Sequence, residues 1–248
     1  MSNADVLSYP IRGQWLERTI LGGLLVFGSV LVVPVFVLVG YFVRVVETTL
    51  EGADEPPSLE GWSTLAKRGI GAIVITVAYL LVPLVAGILL AIGIGAIGYA
   101  GLTGLAPLVG GHGELVWGIS LVAALLAALL SVVVFGVTLL VYYLLPAALT
   151  RYARVGTTSA AFDRDGVASL ALTRDYFFAM AVLQVLPLAV PVIVLVCLLT
   201  VVGIVALPAI LFLFALAGCR VLGTAGVTSS VTNGGRTDGK SAAQMEPE

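Results

Sequence analysis

The chain has 248 residues, of which 60% are hydrophobic and 10% charged, with a formal net charge of −2 and a mean hydropathy of +1.13. Soluble domains carry about 25% charged residues, so this composition excludes a water-soluble globular domain for most of the chain. The slight negative charge also excludes a basic nucleic-acid surface, and no nucleic-acid partner is expected. Four stretches, 19–43, 69–113, 115–150 and 176–219, contain no Asp, Glu, Lys or Arg. Each exceeds the ~18 apolar residues that mark a membrane-spanning segment. The expected fold class is all-α: a polytopic helical membrane bundle of about five segments, within a range of four to six, whose first partner is the lipid bilayer.

Residues 1–18 mix Leu7, Tyr9, Pro10 and Trp15 with Arg12, Glu17 and Arg18. That blend suits an interfacial lead-in with Trp15 as its aromatic anchor. The run 19–43 is longer than the ~7 to 15 apolar residues of a signal peptide, and Gly28, Ser29 and Pro34 interrupt it. A kinked single crossing and a re-entrant hairpin both fit. Single crossing is the default, because a hairpin inside the hydrocarbon region must have its freed backbone groups buried in protein.

Asp54-Glu55-Pro56-Pro57 halts any helix, after which Leu59, Trp62 and Leu65 recur at three-residue spacing opposite Glu60, Ser63, Thr64 and Lys67. The pattern reads as a short interfacial helix anchored by Trp62, or as a solvated linker. Residues 69–90 are expected as a helix, and the glycine-rich 93–113 as its extension and turn. One long helix should cover 115–150, tilted or protruding. The run 176–219 contains Pro187, Pro191, Gly203 and Pro208 and divides best into two spans turning near 200–203. The polar residues 221–248 show no periodicity and read as a disordered tail. The expected organisation is thus a lead-in at 1–18, a helical membrane domain at 19–220 and a tail at 221–248.

Basic residues favour the cytoplasmic side. Three lie in 44–68, four in 151–174 and three from Arg220 onward, but none in 93–114. The expectation is a multi-pass protein of the cell membrane with loops 44–68 and 151–175 and the tail in the cytoplasm. The N-terminus lies outside if 19–43 crosses once and inside if it re-enters.

Chemistry is sparse. Gly93, Gly95 and Gly98 reproduce a dinucleotide fingerprint, but that motif works only between a strand and a helix of a βαβ unit. His112 and Glu114 fall short of the three or four ligands of a metal site. Asp163-Arg164-Asp165-Gly166 lacks the closing ligands of a calcium loop and reads as a turn. Cys197 and Cys219 sit in apolar sequence and are expected as free, inert thiols. No nucleophile stands beside a base, so no enzyme, cofactor or metal is expected. Gln184, close to Pro187, is the candidate for a polar cavity within the spans. Gly87, Ala91 and Gly95 recur every four residues, as do Ala123, Ala127 and Ser131, giving two small-residue stripes expected to meet in close helix packing.

Tyr9-Pro10 with Trp15, Gly22-Gly23, Pro34, Gly40-Tyr41 with Arg44, Pro56-Pro57 followed by Trp62 and Leu65, and Tyr79 with Pro83 form an ordered punctuation. It continues through Pro146, Arg151-Tyr152-Ala153-Arg154, Phe162 and Asp175-Tyr176. In these features the chain resembles an archaeal, notably haloarchaeal, multipass membrane family catalogued as domain of unknown function 4013. The resemblance implies an integral membrane protein without assigned activity and brings no site residue with it. It also fits the preference for Arg over Lys and the acidic loop after the first segment, which point to a salt-adapted source. The leading expectation is a non-enzymatic association or scaffold module that binds itself or other membrane proteins, motivated by small residues and the lack of intramembrane charge. The alternative is a transporter or channel for a neutral or lipophilic solute, motivated by the Pro-broken segments.

Overall fold

The computed structural model describes residues 8–105 and 113–242, which contain no strand. In chain order the α-helices are α1 (Trp15–Gly28), α2 (Val33–Leu50), α3 (Trp62–Ala100), α4 (Gly113–Val155), α5 (Arg164–Ala171), α6 (Arg174–Val185), α7 (Val190–Leu198) and α8 (Val201–Ala242). Five stretches are long and apolar enough to cross a bilayer: Val33–Leu50, Trp62–Ala100, Ser120–Val155, Arg174–Leu198 and Gly203–Val227. This is the all-α polytopic architecture of a multi-pass membrane protein. The chain forms two compact units, one of Met1–Ile75 with Pro146–Glu248 and one of Thr76–Leu145.

In the first unit, 19–43 is a helical hairpin and not one kinked helix. α1 ends at Gly28, a 3-10 turn covers Ser29–Leu31, Val32 takes a positive φ of 64°, and α2 then runs back along α1. Gly28 lies against the Pro34 ring, while Leu25 and Val37 share one cluster further along. The objection to a hairpin was its freed backbone, and the turn answers that locally. Val32 N–H donates to Ser29 O at 3.2 Å, Val35 N–H to Val32 O at 3.0 Å, and the Ser29 hydroxyl to Val26 O at 2.6 Å. Val30, Leu31, Val32 and Val33 leave their apolar side chains exposed at the tip. At 14 and 18 residues the arms measure only about 21 and 27 Å.

α8 is the axis of this unit, since α1, α2, α6 and α7 all pack on it. Tyr41 stacks on Phe212 with ring centroids 5.8 Å apart, and Tyr9, Val45, Leu65 and Leu216 join the same buried cluster. Glycine sets the closest approaches. A Cβ on Gly22 would strike the Phe212 ring, one on Gly40 would strike Leu65 O, and one on Gly69 would strike Phe36 O. The α2–α3 crossing is therefore backbone against backbone.

Two further expectations change here. The segment around Trp62 is neither a separate interfacial helix nor a linker: it is the first turn of α3, which continues unbroken to Ala100. Gly61, at φ 73°, makes the turn, and Leu59 and Leu65 are both buried, drawing the start of α3 into the core. Helix also persists beyond Arg220 to Ala242, where a disordered tail was expected from 221. Val221, Leu222 and Ala225 are buried, so packing in this stretch outweighs its weak periodicity. The hairpin expected near 200–203 is present, with α7 ending at Leu198 and α8 starting at Val201.

The second unit consists of the facing arms of α3 and α4. Between 86–98 and 123–134 they frame an apolar groove of about 500 Å³.

Candidate functional site

Polar chemistry in the first unit collects at one end, where the N-terminal segment, the 51–61 loop and the middle of α8 are stitched together. Arg220, 7% exposed, donates to Ala53 O, lies 3.6 Å from an Asp54 carboxylate oxygen and sits over the Tyr9 ring at 4.5 Å. Arg12 donates to Asp54 O at 3.5 Å, and the Tyr41 hydroxyl to Pro57 O at 3.0 Å. Arg44 donates to Glu60 O at 3.2 Å, and Arg68 pairs with Glu47. Tyr152 reaches Arg68 O at 3.1 Å, Arg154 donates to Gly226 O at 2.6 Å, and Arg151 pairs with Asp163 at 2.7 Å. Pro56-Pro57 keeps the loop extended enough to offer its carbonyls to these arginines.

Within this end lies a cleft of about 370 Å³ bordered by Gly13, Glu17, Arg18, Glu55, Ser58 and Glu60. Gly13, at φ 64°, reverses the chain just before α1, a conformation that favours glycine. A Cβ at Gly13 would lie 2.6 Å from Glu55 Oε2 and 3.5 Å from Arg18 Nη2, so its absence holds the cleft open. Arg18 is 6% exposed. Its one hydrogen bond is from Nη1 to Arg12 O at 3.3 Å, and its Nε has no partner.

Sequence reasoning placed the site residues elsewhere. Gln184 lies on an exposed face of α6 and lines neither the groove nor the cleft. The two stripes do not meet as expected: Ala91 and Gly95 are exposed, and the Cβ positions of Gly87 and Gly95 have nothing within 4 Å. Residues four apart drift by about 40° per step around a helix of 3.6 residues per turn, so the stripe leaves the facing side. The α3 face toward α4 is Ala86, Leu90, Gly93 and Ile97, spaced four, three and four apart. Ala123 and Ala127 do border the groove, whereas Ser131 is exposed and donates to Ala127 O at 2.8 Å on its own helix. Trp15 and Trp62 are each about half exposed.

The remaining motifs are absorbed by the fold. Gly93, Gly95 and Gly98 lie inside α3 and not between a strand and a helix. Asp163 pairs with Arg151 just before α5. Cys197 and Cys219 are free, and His112 lies outside the described residues. Among the described residues no three His, Cys, Asp or Glu side chains converge as metal ligands. The buried arginines Arg18 and Arg220 had no distinguishing signal in the sequence beyond standing at the two ends of apolar runs.

Residues 24–199 match the model of a family described as protein of unknown function (DUF4013). The chain belongs to that family. The match takes in α2 to α7, the end of α1 from residue 24 and the polar 51–61 loop. No curated protein and no solved structure matches the chain.

Proposed function

We propose that this DUF4013 protein is a non-enzymatic membrane association module, binding a second copy of itself or another membrane protein through the arms of α3 and α4. The observation that carries the reading is the groove between 86–98 and 123–134, whose lining is entirely Ala, Gly, Leu, Ile and Val. Small residues facing one another let helix backbones approach closely in lipid, where packing replaces the hydrophobic effect as the driving force. A path for a hydrophilic solute needs polar groups or water along it, and this groove offers no polar side chain. The reading also places the protein in the cell membrane of a salt-adapted archaeon, with its basic end in the cytoplasm. Two supports are the bias of Lys and Arg and the family resemblance.

The test fills the groove. Ala127→Phe in the full chain should weaken association by at least ten-fold, measured from the concentration dependence of cross-linking in mild detergent, while helical content is unchanged. Liposomes containing the parent protein should show no solute flux above empty vesicles. Reproducible flux that Gln184→Leu abolishes, with folding preserved, would replace this reading by the conduit for a neutral or lipophilic solute.

A further inference from the structure

The Arg18 guanidinium is a physical anomaly. It is 6% exposed and carries five N–H donors, yet one carbonyl oxygen accepts from it, at 3.3 Å, and Nε is buried without a partner. No carboxylate lies within ion-pair distance among the described residues. Glu55 Oε2 and Arg18 Nη2 flank the same point beside Gly13, so the charge is partly balanced, but most of the guanidinium donors have no protein acceptor. Burying donors unmatched is unfavourable, and a ligand that supplies acceptors would relieve it. The side chain borders the cleft at the start of α1, where Gln14 provides no side-chain cap. The Trp15 N–H is taken by Gly13 O at 2.8 Å, which leaves the N–H groups of Leu16 and Glu17 as the open donors of the first turn. Helix N-termini take anionic oxygens well.

A bare anion is a poor fit, because the exposed carboxylates of Glu17, Glu55 and Glu60 border the same space. A ligand with a phosphate and a primary ammonium a few ångströms apart satisfies both sets of groups. A second feature selects the source of that chemistry. Leu16, Ile20, Leu24 and Phe27 are all exposed and follow one another at helical spacing along α1, from the cleft toward the apolar hairpin tip. Trp15, half exposed at the head of this track, is the residue type that marks the water–hydrocarbon boundary.

We infer that the cleft holds the head group of an ethanolamine-type phospholipid. Arg18 and the α1 N-terminus take its phosphate, Glu17, Glu55 and Glu60 face its ammonium, and a hydrocarbon chain lies along Leu16, Ile20, Leu24 and Phe27. The inference is independent of the association reading, since it concerns a different face of the protein.

The experiment is native mass spectrometry of the full chain in mild detergent, titrated with phosphatidylethanolamine or phosphatidylglycerol of matched chains. The parent should retain the ethanolamine lipid at a concentration at least ten-fold lower. The exposed-surface double variant Glu17→Gln with Glu60→Gln should lose that preference. Arg18→Met should weaken retention of both lipids at least ten-fold, and if it fails to fold, the glutamate variant decides alone. Glycerophosphoethanolamine should compete with bound lipid, whereas inorganic phosphate at equal concentration should not. Equal retention of the two lipids by the parent, an unchanged preference in the glutamate variant, or displacement by inorganic phosphate as effective as by glycerophosphoethanolamine would each overturn the assignment.

Discussion

Gly40 and Gly69 face each other where α2 crosses α3, and neither leaves room for a methyl group: the Cβ positions fall on the carbonyls of Leu65 and Phe36. Backbone cannot move aside as the end of a flexible side chain can. Overpacking a tight contact costs about 1 to 3 kcal/mol, so Gly40→Leu should lower the detergent melting temperature clearly. Ala91→Leu should leave it near that of the parent, because Ala91 is exposed on α3. A thermal melt of both variants checks the pair, and a larger loss for Ala91→Leu would restore the stripe read from the sequence. With 29 glycines in the chain, spacing alone does not distinguish a contact glycine from one facing lipid. Gly87, Ala91 and Gly95 satisfy the four-residue rule, yet a Cβ on Gly87 or Gly95 would meet nothing within 4 Å and Ala91 is exposed, whereas Gly22 is decisive only because Phe212, far along the chain, is laid against it. The same limit hid the cleft. Arg18 looks in the sequence like an ordinary flanking arginine, and its burial depends on the loop brought over it by Pro56-Pro57.

The elements themselves were largely legible, because lipid forces backbone groups to pair within a helix and long charge-free runs can hardly be anything else. The runs 69–90 and 115–150 and the turn near 200 fall where the composition put them. The first segment did not, and the reason is a short-range competition. Its default rested on the penalty for breaking a helix in hydrocarbon, but Ser29 and a 3-10 turn satisfy the groups at the break, while Pro34 starts α2 in its first turn, where its missing N–H costs nothing. What remains is strain at Val32, a β-branched residue held at φ 64° and ψ −50°. Such a conformation costs of order 1 to 3 kcal/mol, partly offset on substitution by the greater freedom of an unfolded glycine. Val32→Gly should therefore stabilise the protein by about 1 kcal/mol net and raise its melting temperature in detergent. A fall would show that residue 32 does not hold that backbone conformation and that the hairpin turns elsewhere.

Taken in chain order, the described residues include three helical hairpins, α1 with α2, α3 with α4, and α6–α7 with α8, with the short α5 between the second and third. The hairpin in 19–43 has a consequence for the whole, since it returns the chain to the end from which it started. Arg12 and Arg220 both bind the 51–61 loop, and Arg154 binds α8 at Gly226, so the N-terminal segment, that loop and the end of α4 share one end of the first unit. Residues 76–145 contain no Lys or Arg at all. Arg12 and Arg18, which a single crossing would have put on the opposite side, instead add to the basic residues of this end, and the bias that sets orientation becomes stronger. In a background with Cys197 and Cys219 replaced by alanine, single cysteines at Ser8, Ser58 and Ser159 should all resist a membrane-impermeant thiol reagent in intact cells and all react after lysis. The three positions test separate links. If all three react from outside, the end is shared but faces outward, and the charge rule fails for this protein. Should Ser8→Cys alone react from outside, α1 and α2 would have to form one crossing after all. Labelling of Ser159→Cys on the side opposite Ser58→Cys would instead break the α3–α4 hairpin, which an even number of passes between those two loops requires.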